Sequence, residues 1–216
     1  MGLNKNKSSG KFLGITNGKI SLRVPEGTEG AVERKITKGK NEGTSVFEVF
    51  FDSVDGYIVG GKVERKEVGD AIIESIVVKI KDGLETFNLN IPWNSRIRDS
   101  FVKVLPNLDV SKKVEIVVFP DKKDKNPVLL VKQGGERLDW YYTRETPNSL
   151  PQPEKKTVKG AVKWDFSSTE DFLWQKTEEF FEQFESDEAP EGQDESVDVE
   201  QEEETQSHSG SGDTPF

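Results

Sequence analysis

The chain has 216 residues, a formal net charge of −10, one histidine and no cysteine. The lack of cysteine excludes disulfide frameworks, thiolate metal sites and cysteine nucleophiles, and it fits a reducing compartment. No apolar stretch approaches the roughly 20 residues that span a membrane and no signal-peptide core precedes the first strands, so a cytoplasmic location is predicted.

Charge is distributed unevenly along the chain. Residues 165–216 contain 18 acids and one base, a net −17, whereas residues 1–164 contain 22 acids and 29 bases, a net +7. A basic body joined to a strongly acidic end points to nucleic acid as a partner.

The first ten residues are polar and are expected to be mobile. Residues 11–145 then show short apolar or alternating runs separated by turn signals, the pattern of an all-β domain. Asn17-Gly18 and Asp82-Gly83 predict hairpin turns, and Gly60-Gly61 predicts a β-bulge. The glycine- and charge-rich residues 25–43 predict a long loop.

Period-two alternation assigns faces to two of the predicted strands. The segment SIVVKIK buries every second residue, Ile76, Val78 and Ile80. The segment VFEVFF turns Phe47, Val49 and Phe51 inward and leaves Glu48 and Phe50 outside.

One short helix is predicted among the strands. Ile97, Phe101 and Val104 recur at helical spacing, after Asn94 or Ser95 as the N-cap and before Pro106. A helix among about eight strands suits a mainly β fold, an OB-fold-like, partly open five-stranded barrel with extra hairpins. A β-sandwich has similar strand spacing and stays open as the alternative.

The amino-acid composition and hydrophobic pattern change after residue 145. Residues 146–163 are proline-rich and predict a linker. Residues 164–185 place Phe172, Leu173, Phe180 and Phe181 at helical spacing after a capping signal, so an amphipathic helix is predicted. Residues 186–216, with a net charge of −11, predict a disordered acidic tail.

Enzymatic machinery is not evident in the sequence. The single histidine, His208, lies in the predicted tail, so no histidine-based triad or zinc site can be assembled. No Walker-type phosphate loop occurs, and the glycine-rich segments lack the strand-to-helix context of phosphate cradles. We therefore predict no enzyme, no catalytic residue, no metal and no cofactor.

The body is rich in the residue types that suit binding of single-stranded nucleic acid. Such binding combines aromatic platforms for bases with basic groups for phosphates. In a strand over 137–143, alternation would point Tyr141 outward, opposite a buried face of Leu138, Trp140 and Tyr142. The predicted stacking residues are Phe50, Tyr57, Trp93, Trp140 and Tyr141. The predicted phosphate contacts are Lys62, Arg65, Lys66, Lys79, Lys81, Arg96, Arg98, Lys132, Arg137 and Arg144.

The end of the tail forms a second predicted interaction site. Asp213, Thr214, Pro215 and Phe216 offer a ring, a rigid bend and two negative groups to an apolar pocket rimmed by basic residues. This ending resembles the acidic tails of bacterial and bacteriophage single-stranded DNA-binding proteins, which finish in Phe. Pro215 and Phe216 match the bacterial ending, and Thr214 stands where Ile is usual.

The resemblance implies a bacteriophage-type single-stranded DNA-binding protein with an OB-fold body, located in the host cytoplasm. Such a protein coats single strands without strong sequence preference in DNA replication, recombination and repair. Its tail recruits a polymerase, helicase or primase. A monomer or dimer is favoured over the tetramer of the bacterial family, and no membrane partner is expected.

Three other hypotheses about the function remain open. The same acidic segment suits an acidic interaction protein, a DNA mimic or chaperone-like inhibitor of a nucleic-acid enzyme, although a basic body argues against it. A duplex-binding or strand-annealing protein would use similar surfaces. A magnesium-dependent nuclease is the weakest alternative.

Overall fold

The computed structural model describes residues 10–37, 41–68, 71–123, 126–145, 148–158 and 161–184. Apart from Gly10, the predicted N-terminal segment lies outside these residues, as does the predicted tail. The strands are β1 (Lys11–Thr16), β2 (Lys19–Val24), β3 (Val32–Lys35), β4 (Ser45–Phe51), β5 (Ser53–Val68), β6 (Ala71–Asp82), β7 (Glu85–Pro92), β8 (Val114–Pro120), β9 (Pro127–Gln133), β10 (Glu136–Arg137), β11 (Glu154–Val158) and β12 (Ala161–Asp165). The helices are α1 (Arg96–Val102), a 3₁₀ turn at Leu105–Asn107 and α2 (Ser167–Glu182).

Ten of these strands form one sheet in the order β10-β9-β8-β5-β6-β7-β1-β2-β4-β3. Strands β5, β6 and β7 form an antiparallel meander, β8 pairs with β5, and β9 pairs with β8. Helix α1 connects β7 to β8, and β1 joins the other side of β7 as a parallel neighbour.

The sheet curls over its core. Strand β2 contacts both β8 and β5, although neither is its neighbour in the sheet. The β1–β2 turn also meets the end of β8, where a Cβ on Gly18 would lie 2.8 Å from the backbone nitrogen of Pro120. The prediction of a mainly β, partly open barrel with one helix between strands and one near the C-terminus is confirmed.

The local signals for turns are confirmed. Asn17 and Gly18 have φ values of +52° and +72° in the tight turn between β1 and β2, a geometry that favours this dipeptide. The predicted β6–β7 turn is present, but it is centred on Gly83 and Leu84, one residue later than the predicted Asp82-Gly83. The register of β5 on β6 shifts between Ile58 and Gly60, which is the predicted bulge.

The core follows the alternation of the central strands. Ile76, Val78 and Ile80 of β6 are fully buried, as predicted. The prediction for β4 was wrong in part: Phe51 is exposed, whereas Glu48 on the opposite face is buried. Glu48 tolerates burial because Arg34 of β3 donates two hydrogen bonds to its carboxylate, at 2.8 and 3.0 Å.

Helix α2 covers the core side of β5. Its buried residues are Leu173, Thr177 and Phe181. A Cβ on Gly61 of β5 would lie 2.3 Å from the Phe181 ring, so the absence of a side chain there lets the helix approach the strand. The amphipathic helix is therefore a structural part of the barrel.

Three sequence-based assignments of irregular or regular structure were wrong. The predicted linker 146–163 contains most of a hairpin, β11–β12, and the predicted loop 25–43 contains β3. Residues 137–143 do not form a strand, because the sheet pairing of this segment ends at Arg137. Beyond it, the backbone N–H groups of Tyr141 and Tyr142 donate to the carbonyl of Lys103, at 2.7 and 3.3 Å.

Candidate nucleic-acid interface

The outer face of β5 and β6 brings several predicted contact residues together. Tyr57 lies opposite Lys81, Gly60 lies opposite Lys79, and Lys62 lies opposite Val77. Cross-strand partners project to the same face, and this face is opposite the one that buries Ile76, Val78 and Ile80. Tyr57 is 42 % exposed. A half-exposed ring beside two lysines is the arrangement that base stacking and phosphate contact require.

Strands β7 and β1 extend this face with an aromatic residue that the sequence analysis missed. Lys79 lies opposite Asn88, and Asn88 lies opposite Phe12 of β1. Phe12 is 66 % exposed, although it is large and apolar. The signal was present in KFLGI, where alternation sets Phe12 against the inward-facing Leu13. We call Phe12, Tyr57, Lys62, Lys79 and Lys81 the sheet surface.

Tyr57 and Phe12 stand at opposite sides of the sheet surface. Three strand spacings separate β5 from β1, a distance of about 14 Å at roughly 4.8 Å per strand. Lys79 and Lys81 lie on β6, between the two rings. A single strand crossing the sheet would therefore meet a ring, then positive charge, then a second ring.

Two lysines lie at one end of the sheet surface, and one of them is paired with an acid. Lys81 forms no ion pair with any other described residue. The Nζ of Lys113 lies 5.9 Å from the centroid of the Tyr57 ring and 2.7 Å from a carboxylate oxygen of Asp82. The hydrogen bond to Asp82 raises the pKa of Lys113, and this ion pair adds no net charge beside the ring, so the positive charge at this end comes from Lys81.

Farther along β5, the predicted phosphate contacts are partly neutralised. Lys62 and Lys66 each approach the Glu64 carboxylate to 2.5 Å. These hydrogen bonds, first from Lys62 and then from Lys66, lower the pKa of Glu64. Arg65 pairs with Glu74 on the opposite face of the ribbon. Lys62 and Lys66 together with Glu64 therefore leave a net charge of +1.

Two predicted contact residues lie in the interior instead, and these predictions were wrong. Trp93 is 5 % exposed and packs edge-on against Trp174 of α2, with ring centroids 4.7 Å apart. Arg98 is buried beneath the same helix, 4.7 Å from the Trp93 ring, and binds Glu170. Burial acts to lower the pKa of Arg98, but the hydrogen bond to Glu170 and the nearby carboxylate of Asp99 raise it overall.

A second exposed aromatic group lies beside α1. Trp140 and Tyr141 are both exposed, and the Nζ of Lys103 lies 4.8 Å from the centroid of the Trp140 ring. Arg96 and Trp140 line one shallow pocket of about 270 Å³. The structure thus brings Arg96 and Trp140 together at this pocket, and Tyr141 follows Trp140 in the chain.

The remaining predicted residues are scattered. Lys132 pairs with Glu115 at 3.2 Å. Arg137 and Arg144 are exposed and form no ion pair with another described residue. Phe50 is half-buried on β4, opposite Ser21. Asp213, Thr214, Pro215 and Phe216 lie outside the described residues.

The hairpin β11–β12 carries further exposed aromatic and basic residues, in a segment that was predicted to be a linker up to residue 163 and an amphipathic helix from residue 164. Trp164 is 54 % exposed, and Phe166 follows the hairpin with a similar exposure. The missed signal was the glycine of Lys159-Gly160 between the strand-forming residues Thr157 and Val158 on one side and Val162 and Trp164 on the other.

No protein-family model matches this chain, and neither a curated protein nor a solved structure is significantly similar to it. Among the described residues, no helix combines the length and apolar character needed to cross a membrane. Within the same residues, no three acidic or histidine side chains converge in a way that could hold a metal ion.

Proposed function

We propose that this protein binds single-stranded DNA without strong sequence preference and protects it during replication, recombination or repair. The sheet surface is the proposed binding site. The observation that carries the proposal is the placement of Tyr57, Lys79 and Lys81 on one outer face of the barrel. Base stacking on an exposed ring tolerates any base, and lysines contact phosphates regardless of sequence.

The direction of binding follows from the strand order. A single strand would run across β5, β6, β7 and β1, stacking one base on Tyr57 and another on Phe12. Lys79 and Lys81 would contact the phosphates between them. Duplex DNA hides its base faces within the helix stack, so this surface favours single strands.

The folded body and the acidic tail have different proposed roles. Residues 1–164 carry +7, but residues 165–185, which include α2, lower the net charge of residues 1–185 to +1, so binding of the polyanion rests on the lysines of the sheet surface and not on the overall charge of the body. The acidic tail, through Asp213, Thr214, Pro215 and Phe216, recruits a polymerase, helicase or primase. This role requires no catalytic residue, cofactor or metal. We further propose that the chain is a single-stranded DNA-binding protein of the bacteriophage type that acts in the host cytoplasm.

The testing experiment compares labelled oligo-dT with a duplex of equal length by fluorescence anisotropy. Wild type should bind oligo-dT far more tightly than the duplex. Lys81→Glu should weaken oligo-dT binding about tenfold at low salt and reduce the salt slope by about one. Lys35→Glu is the matched control, since Lys35 lies on the edge strand β3 and outside the sheet surface.

Two results would overturn the proposal. Equal affinity for duplex and single strand would favour a duplex-binding protein. No binding to either nucleic acid would leave an acidic interaction protein as the better account of the tail.

A further inference from the structure

The hairpin β11–β12 forms a two-stranded sheet of its own, and no other described strand pairs with it. An isolated two-stranded ribbon is only marginally stable in water. Both Val162 and Trp164 are nevertheless exposed on it. A ribbon that exposes apolar residues and lacks a neighbouring strand gains stability when a ligand covers it.

One face of the hairpin combines a ring with a cation. Lys155 lies opposite Trp164, and Thr157 lies opposite Val162. The Nζ of Lys155 lies 5.0 Å from the centroid of the Trp164 ring. This pairing holds positive charge beside a half-exposed indole.

The other face places two lysines directly opposite each other, Lys156 and Lys163. Like charges in this position destabilise a hairpin. Lys156 forms an ion pair with Asp165, and this hydrogen bond raises the pKa of Lys156. Lys163 has no ion-pair partner among the described residues. A bound polyanion would offset the remaining repulsion between Lys163 and Lys156.

We propose that this hairpin is a second contact for single-stranded DNA, which passes around one edge of the two-stranded ribbon: Trp164 stacks a base and Lys155 contacts a phosphate on one face, and Lys163 contacts a phosphate on the other. The proposal rests on the proposed function and extends its site beyond the sheet surface. The net positive charge of the hairpin favours a nucleic acid as its ligand, because residues 154–165 contain four lysines and two acids. A stacking ring beside a lysine is the feature that suits a single strand.

The base of the hairpin lies beside the basic part of β5. Asp165 and Phe166 line a groove together with Arg65 of β5. The same groove is lined by the carboxylates Glu74, Glu170 and Asp171, which repel a polyanion. The strand would therefore leave the sheet surface near Lys62 and Lys66 and cross the hairpin itself, outside the groove.

The experiment uses the full-length protein and an oligo-dT of about 30 nucleotides, longer than the roughly 4–16 nucleotides that one barrel of this type covers. Trp164→Ala should weaken binding about tenfold, and Trp164→Phe should recover most of that loss. Lys163→Glu should weaken binding and lower the salt slope by about one or more.

The Lys163→Glu variant separates binding from folding. It replaces a repulsive cross-strand pair with an attractive one opposite Lys156, so it should stabilise the hairpin. Weaker DNA binding by a more stable hairpin cannot be explained by misfolding. In wild type, oligo-dT should also protect the hairpin lysines from trypsin, whereas duplex DNA should not.

The outcomes distinguish this inference from the proposed function. If Trp164→Ala and Lys163→Glu bind oligo-dT as wild type does while Lys81→Glu is weakened, the hairpin is not a DNA contact and the sheet surface remains the site. If Trp164→Ala alters only self-association, measured by sedimentation, the hairpin is a contact between copies and the inference is wrong. If wild type binds no single-stranded DNA, both proposals fail.

Discussion

Arg98 of α1 and Glu170 of α2 form a bidentate ion pair beneath the barrel. One guanidinium nitrogen of Arg98 lies 3.0 Å from a carboxylate oxygen of Glu170, and a second nitrogen contacts the other oxygen. Trp93, in the connection between β7 and α1, packs edge-on against Trp174 of α2. The two contacts join the C-terminal helix to the body, so α2 belongs to the folding unit even though 146–163 was predicted to be a linker.

Loss of this ion pair should destabilise the protein. Glu170→Gln leaves the buried Arg98 guanidinium without its bidentate partner, and Asp99 at 2.7 Å compensates only in part. We expect a loss of about 2 kcal/mol in the free energy of unfolding, less than for a fully buried pair because Glu170 is partly exposed. Urea unfolding measures this loss. Glu178→Gln, on the exposed side of α2, is the control and should change stability little.

The close approach of α2 to β5 should make Gly61 intolerant of a side chain. An added Cβ would lie 2.3 Å from the Phe181 ring and 2.6 Å from the carbonyl oxygen of Val77. Gly61→Ala should cost about 3 kcal/mol, since neither neighbour can move freely. Thermal unfolding of Gly61→Ala and Gly14→Ala makes the comparison, because a Cβ at Gly14 meets only the Ser21 hydroxyl, at 3.3 Å. Equal stability of the two variants would contradict the described position of α2.

Tyr57 should contribute to single-strand affinity through its ring. Tyr57→Ala should weaken oligo-dT binding about tenfold, whereas Tyr57→Phe should bind nearly as wild type does, because stacking uses the ring and not the hydroxyl. Titrations at constant salt measure both. A similar loss in the two variants would mean that the hydroxyl makes the essential contact.

Asp109 should contribute stability that is lost in acid. Its carboxylate accepts hydrogen bonds from the Ser111 hydroxyl and binds Lys112, and its pKa is lowered to about 2. Since the unfolded value is about 3.9, the contribution is fully present above pH ~4 and is lost as the pH falls through about 2. Asp109→Asn should flatten the dependence of the unfolding free energy on pH between about 2 and 4. An unchanged dependence would show that other carboxylates dominate this range.

Removal of the tail should tighten DNA binding, provided that α2 is retained. A version ending at Glu185 removes 11 acids and keeps the helix that covers the core. Because a competing polyanion is gone, oligo-dT affinity should rise most at low salt. With about four phosphates contacted, the slope of log K against log salt should be about −3. Weaker binding after truncation would mean that the tail takes part in the binding site.

The sequence by itself determined what depends on neighbouring residues. Asn17-Gly18 forms its turn because both residues accept positive φ, and Ile76, Val78 and Ile80 reach the core because a strand alternates its faces. The mainly β fold and both helices follow from the same local rules.

Only the tertiary structure decided which surfaces remain free. Trp93 and Arg98 carry the composition of a DNA contact, but α2, about 75 residues away along the chain, covers them. Tyr141 does not lie in a strand as predicted, because its backbone N–H donates a hydrogen bond to the carbonyl of Lys103. The hydrophobic period and the structural propensity of a sequence describe one segment at a time, whereas burial is set by contacts between distant segments. Burial decides whether an aromatic side chain is available to stack on a base or belongs to the core.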